Sequence, residues 1–278
     1  MKKRDYAVYI VAVISGVFLS LSYVNPYGGK ILLSELILQM SGSNGEFVLN
    51  ISALNDWVRF ALRLLPSCIM EVFLGVSLYR YFCIASIYVF SRCEDRRKWY
   101  WHEMLSMGKS VIFFQMIVMA VTIITAALRH QIRIDSPGVI LLIYHLVLYT
   151  LWSYSMVILI NLVALRFGSS EAFVIVMIIQ IVGSVLLAAW AMLKNSPETG
   201  DKISGIILRI NPISRLILGW QKSIIPEVDS IQTSAYEHFY LEESLLVLVF
   251  INIIILIIGE VMVKRHDLLV SDSEIGVI

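Results

Sequence analysis

The sequence predicts an all-α polytopic membrane protein: six transmembrane helices, amphipathic helices on the outer face and a charged helix on the cytosolic face. Three observations predict it. The 278 residues are 58% hydrophobic and only 15% charged, with a mean hydropathy of +0.80, where soluble domains run near 45–50% apolar and about 25% charged. Six apolar runs are each long enough to cross a hydrocarbon core of about 30 Å, which takes about 20 helical residues. Lysine and arginine gather in alternate links between those runs, as orientation in a membrane requires. A water-soluble globule and a disordered chain are thereby excluded. The formal net charge of +1 leaves no global field to draw in nucleic acid.

The spans are expected at Tyr6–Val24, Ser67–Phe90, Val111–Leu128, Val139–Leu165, Ala172–Leu193 and Leu245–Val263, within a single domain covering residues 1–278. The first is too long for the apolar part of a cleavable signal, and no small-x-small site precedes Asn25-Pro26, so it reads as an anchor. The second carries Glu71 and Arg80, with Glu71 expected nearer the outer side. In the third, Gln115 is the one strongly polar side chain beside a few threonines. The fourth is long enough to tilt or protrude. Basic residues at Lys2–Arg4, at Arg92, Arg96, Arg97, Lys98 and Lys109, at Arg166 and at Lys264-Arg265 place both termini in the cytosol. Arg129 and Arg133 in a short outer link argue the other way and are outnumbered. Cys68, Cys83 and Cys93 fall in or beside the second span, which suggests no disulfide framework.

The outer connections are not plain loops. In Leu54–Leu65 the apolar Trp57, Phe60, Ala61 and Leu64 repeat at helical spacing opposite Asp56, Arg59 and Arg63, the pattern of an interfacial helix. Ile31–Met40 is a second, more apolar piece. After span five, Ile203–Leu208 and the stripe Ile213, Leu216, Ile217, Trp220 flank Asn211-Pro212; this predicts two short amphipathic helices hinged at Pro212 that re-enter from outside. Two roles stand for these outer helices, a gate and a rim seal. On the inner side, residues 91–109 read SRCEDRRKWYWHEMLSMGK. This most charged stretch of the chain is followed by aromatics of the headgroup belt, so it is expected to lie along the cytosolic surface as a docking site.

Catalytic and metal motifs fail on inspection. Gly108-Lys109-Ser110 ends like a phosphate-binding loop, but Glu103 stands where the first glycine is needed. His102-Glu103 opens a zinc motif whose second histidine position is Ser106. No enzyme activity, metal or cofactor is expected of the chain itself. Charge inside a span costs about 2.5–3.5 kcal/mol per residue on insertion scales, so Arg80 and Glu260, at similar counted depths, are candidates to pair or to line a path. His145 joins them as an intramembrane polar residue; Gln180 and Asn252 are isolated polar groups.

The strings YVFSRCEDRRKWYW, NLVALRFGSSEAF and INPISRLILGW, set in six spans with a basic aromatic link after the second, resemble the permease subunit of type-2 ABC exporters, in the bacteriocin- and lantibiotic-linked branch. That resemblance implies a bacterial plasma-membrane protein that pairs with a second permease chain, as homodimer or heterodimer, among membrane lipids. It implies two copies of a separate ATPase subunit that bind Mg-ATP. The cargo would be a peptide antibiotic or another amphipathic compound, moved for export or self-immunity. Carried onto this chain, Glu94, Asp95, Arg96, Arg97, Lys98, Trp99, Trp101 and Glu103 form the ATPase-coupling helix, while Pro212, Leu216 and Trp220 form the outer gate. The alternative is a non-transporting scaffold or sensor that docks a cytosolic partner through residues 92–109.

Overall fold

A computed structural model describes residues 3–24, 29–42, 51–75, 77, 79, 96–194, 206, 208–232 and 239–265. The described helices are α1 (Lys3–Tyr23), α2 (Leu33–Ser41), α3 (Ile51–Leu74), α4 (Arg96–Ala127), α5 (Ser136–Phe167), α6 (Ser169–Lys194), α7 (Pro226–Asp229) and α8 (Leu241–Arg265). Four of them, α4, α5, α6 and α8, are long and apolar enough to cross a membrane, and α1 contains a shorter apolar helix at Ala7–Ser22. The protein is a helical membrane protein.

Helix α5 stands at the centre, packed against α2, α3, α4, α6, α7 and α8. Its 32 residues make a rod of about 48 Å. The side chains that α6 and α8 turn away from it are apolar and exposed, among them Ile178, Ile181 and Val185 on α6 and Phe250, Ile254 and Ile257 on α8. Exposed aliphatic faces of this kind suit lipid. On the far side α1 lies along α4, and Gly16 permits the approach: a Cβ there would meet the Val118 carbonyl at 2.7 Å and Val121 Cβ at 2.8 Å. Thr122 Oγ1 donates to the Gly16 carbonyl at 3.0 Å across the same contact. Small residues that let backbones touch are the usual adhesive where water supplies no drive.

Several boundaries differ from the expectation, each for a physical reason. The charged stretch from Arg96 does not lie apart from span three, because Arg96–Ala127 is one helix of 32 residues. Its buried side chains Tyr100, Met104, Met107, Val111, Phe114 and Val118 step by three and four residues straight across Lys109. Leu54–Leu65 is likewise no separate interfacial helix, since α3 runs unbroken from Ile51 through Pro66 to Leu74. Ile31–Met40 splits into a strand and a helix, and α2 is not a surface helix: Leu33, Ser34, Leu36, Ile37, Leu38, Met40 and Ser41 are all buried.

An unexpected β element ties the bundle together at one end. Lys30–Leu32 (β1) and Gln131–Arg133 (β2) form a parallel two-stranded pair, with Ile31 opposite Ile132. Asp135 Oδ1 accepts the Ser34 N–H at 3.1 Å, fixing the start of α2 to the start of α5. Of the two amphipathic re-entrant helices expected here, the described residues 206 and 208–210 are helical, but the stripe after Pro212 is two 3-10 turns, Ser214–Leu216 and Leu218–Trp220. Asn211 is the reason: its Oδ1 accepts the Ile213 N–H at 3.0 Å and its Nδ2 donates to the Gly183 carbonyl at 2.6 Å. Such local side-chain bonds compete with a helix.

Gly16→Leu should force α1 and α4 apart and cost about 1–3 kcal/mol, the usual penalty of overpacking. Thermal unfolding in detergent checks this, with Val17→Leu on the neighbouring position as control.

Candidate functional site

Polar side chains concentrate at two ends of the bundle and at one level between them. The first end carries the basic residues of α4 and the last turns of α8. Arg97 Nε meets Glu260 Oε1 at 2.7 Å, and Trp101 Nε1 donates to Glu260 Oε2 at 2.9 Å. One turn away, Tyr100 is wholly buried, and its hydroxyl donates to the Leu256 carbonyl at 3.0 Å. Gly259 makes room, since a Cβ there would collide with the Tyr100 hydroxyl. The start of α4 is thus latched onto the end of α8. Arg97 is 72% exposed, so its ion pair is worth at most about 1 kcal/mol; the neutral Tyr100 bond adds about 1 kcal/mol, and the Trp101 bond to a carboxylate about 1.5–3 kcal/mol. The latch holds, and it is weak enough to open.

Of the sequence-predicted site residues, the structure brings Arg97, Trp101 and Glu260 together. Lys98 is exposed, while Arg96, Trp99 and Glu103 are half-buried. Glu94, Asp95 and Arg80 lie outside the described residues. Among those described, both oxygens of Glu260 are engaged by α4. Tyr100 escaped notice as a latch residue, although its place at the head of the buried stripe of α4 was a signal for it.

The opposite end is closed by residues 208–232. Leu216 and Trp220 are buried and Pro212 is half-buried. Arg215, only 4% exposed, pairs with Glu243 at 3.4 Å. It also donates to the Arg209 carbonyl at 2.7 Å and to Ser244 Oγ at 3.3 Å, and its guanidinium lies over the Phe239 ring. Burial pulls the Arg215 pKa below its ordinary value, and the Glu243 charge and hydrogen bond push back up. Gln221 is fully buried and donates to the Arg215 and Ile217 carbonyls. The segment is a packed plug whose irregular backbone is satisfied from within, as it must be at such burial.

Between the ends lies a polar level. Ser153 on α5 joins Ser67 on α3 and Gln115 on α4, both at 3.0 Å. Asn161 donates to the Leu74 carbonyl at 3.1 Å. His145 stacks on Tyr149 with ring centroids 4.2 Å apart, and together with Arg63, Gln115 and Ser67 lines a cavity of about 20 Å³. A water needs roughly 10–15 Å³, so this cavity suits a water and no larger guest. His145 therefore belongs to a cluster separate from Glu260.

Comparison with protein-family models, curated proteins and solved structures finds no match to the chain. The functional reading accordingly rests on residues and geometry alone.

Removing a buried charge network and an exposed one should differ sharply. Arg215→Ala should destabilise by about 2–4 kcal/mol, because it empties a buried site and strands its partners. Arg97→Ala should cost less than about 1 kcal/mol. Paired unfolding curves in detergent measure both.

Proposed function

We propose that the chain is the permease subunit of a type-2 ABC exporter, in a bacterial plasma membrane, with six spans and both termini in the cytosol. The observation that carries the reading is the overhang of α4. A helix of 32 residues is about 48 Å long, some 18 Å more than a hydrocarbon core of about 30 Å. The excess corresponds to the polar turns that begin at Arg96, and the latch ties those turns to α8. Force applied to that tip by another protein reaches two spans at once.

Parity supports the six-span count. Residues hydrogen-bonded outside the membrane share a side, so an even number of crossings separates β1 from β2. Helix α4 supplies one, which requires an odd number between residues 33 and 95, where α3 lies. The Arg97–Glu260 pair sets the same condition on the stretch from α4 to α8, and α4, α5, α6 and α8 satisfy it without a further crossing in residues 195–240.

In this reading the chain works as a homodimer or heterodimer of permeases with two ATPase subunits that bind Mg-ATP. The basic tip of α4 meets the ATPase, and the plug around Pro212, Leu216 and Trp220 closes the outer face. The cargo is a peptide antibiotic or another amphipathic compound, exported or expelled for self-immunity. Among the described residues, the cavity beside His145 holds no more than a water, which favours a path built between chains.

The test separates docking from the internal latch. Arg97 is left intact because its loss would also weaken the latch to α8. Reversing Arg96 and Lys98 to glutamate should leave membrane insertion unchanged and reduce ATPase co-purification at least tenfold, equivalent to about 1.4 kcal/mol. Transport should fall with it. Undiminished co-purification with full transport refutes the coupling assignment. Retention of a cytosolic protein that is no ATPase favours the scaffold reading.

A further inference from the structure

Glu71 lies in the described part of α3 and is fully buried. Its Oε2 accepts a hydrogen bond from Gln180 Nε2 on α6 at 2.7 Å. Its Oε1 has no partner among the described residues, and neither ion pair found among them involves it. Gln180 is eleven residues into α6, about 16 Å from the helix end, which is near the middle of a core of about 30 Å. Glu71 therefore sits deeper than its place in the predicted second span implied. The shift follows from α3 starting at Ile51 and not at Ser67.

A carboxylate that keeps its charge in such a place needs a cation or several N–H donors. Among the described residues Glu71 has one donor, an uncharged amide. The neighbouring groups offer no more: Cys68, one turn earlier on α3, donates its S–H toward Gln180 Oε1 at 4.0 Å. From α5, Ser153 and Asn161 engage adjacent turns of α3, and Gln115 on α4 donates to Ser153; all three are uncharged. Cys68 is the one other titratable group that faces the carboxyl among the described residues.

We propose that Glu71 is an intramembrane proton-binding site, occupied by a proton in this packed arrangement, with Gln180 as the group that orients it. The Gln180 amide directs its N–H to Oε2 and leaves Oε1 to carry the proton. Ionisation then requires α3 and α6 to part enough for water or a cation to reach Oε1, so proton occupancy is linked to the packing of those two helices. The site is independent of the ATPase-coupling reading, since none of its residues belongs to the basic tip or the plug.

The experiment treats the full-length protein in native membranes with dicyclohexylcarbodiimide, which adds the O–H of a neutral carboxylic acid across one of its C=N bonds in apolar surroundings. Peptide mass spectrometry should find the adduct on Glu71, and its yield should fall as pH rises. Glu71→Gln should lose the adduct yet keep the wild-type unfolding temperature, because glutamine copies the uncharged form. Sodium or potassium chloride at constant pH should leave the yield unchanged. No adduct on Glu71 overturns the proposal. So does protection by alkali cations, which would make this a metal-ion site, and so does a marked loss of stability in Glu71→Gln, which would mean the fold depends on the charge.

Discussion

The register of this bundle depends on the partners that Ser153, Tyr154 and Asn161 of α5 find where water is absent. An unsatisfied group in hydrocarbon costs several kcal/mol, whereas a satisfied interhelical hydrogen bond contributes only about 0.6 kcal/mol on average. The asymmetry makes these groups registers more than glue. Ser153 accepts only an arrangement that brings Ser67 and Gln115 to its level. Asn161 fixes the height of Leu74, Tyr154 reaches the Met104 carbonyl, and Asn252 on α8 donates to the Leu151 carbonyl. Three neighbouring helices are thereby held at set heights against one mast.

The two ends of the bundle are built from different physics. At the basic end the contacts are exposed or half-exposed charges that water can replace, the half-buried Trp101 and the buried Tyr100 hydroxyl. At the plug end most contacts are buried, and Arg215 is fixed by three acceptors and a ring. Displacing the plug means exposing Leu216, Ile217 and Trp220, each with negligible exposure, at about 1.5–3 kcal/mol apiece. Motion at the first end is cheap, and at the second it must be driven.

Much of the fold was legible because a membrane imposes one simple rule on length and polarity. The apolar runs at 139–165, 172–193 and 245–263 each lie inside an observed helix that extends only a few residues further. Continuity was not legible at Lys109, because the change from polar to apolar composition hides a buried stripe that never breaks. Burial of α2 was equally hidden, since a nine-residue apolar segment reads alike on a surface and in a core. At the site, the charges of Arg97 and Glu260 were visible but their pairing was not. Depth alone admits many partners for a carboxylate, and the choice falls to whichever helix lies beside it. The plug shows the opposite failure: its helical stripe was real, yet Asn211 diverted the backbone into turns.

The parallel pair of β1 and β2 sets a schedule for synthesis. Its strands begin 101 residues apart, at Lys30 and Gln131, so at roughly 5–20 residues per second β1 waits about 5–20 s for its partner. During that wait its ladder groups are open to any extended segment that passes. The strand is only three residues long, with Lys30 exposed at its start, and brevity and charge are the usual guards of an open edge. A short, charged strand is what a chain with a late-arriving partner can safely display.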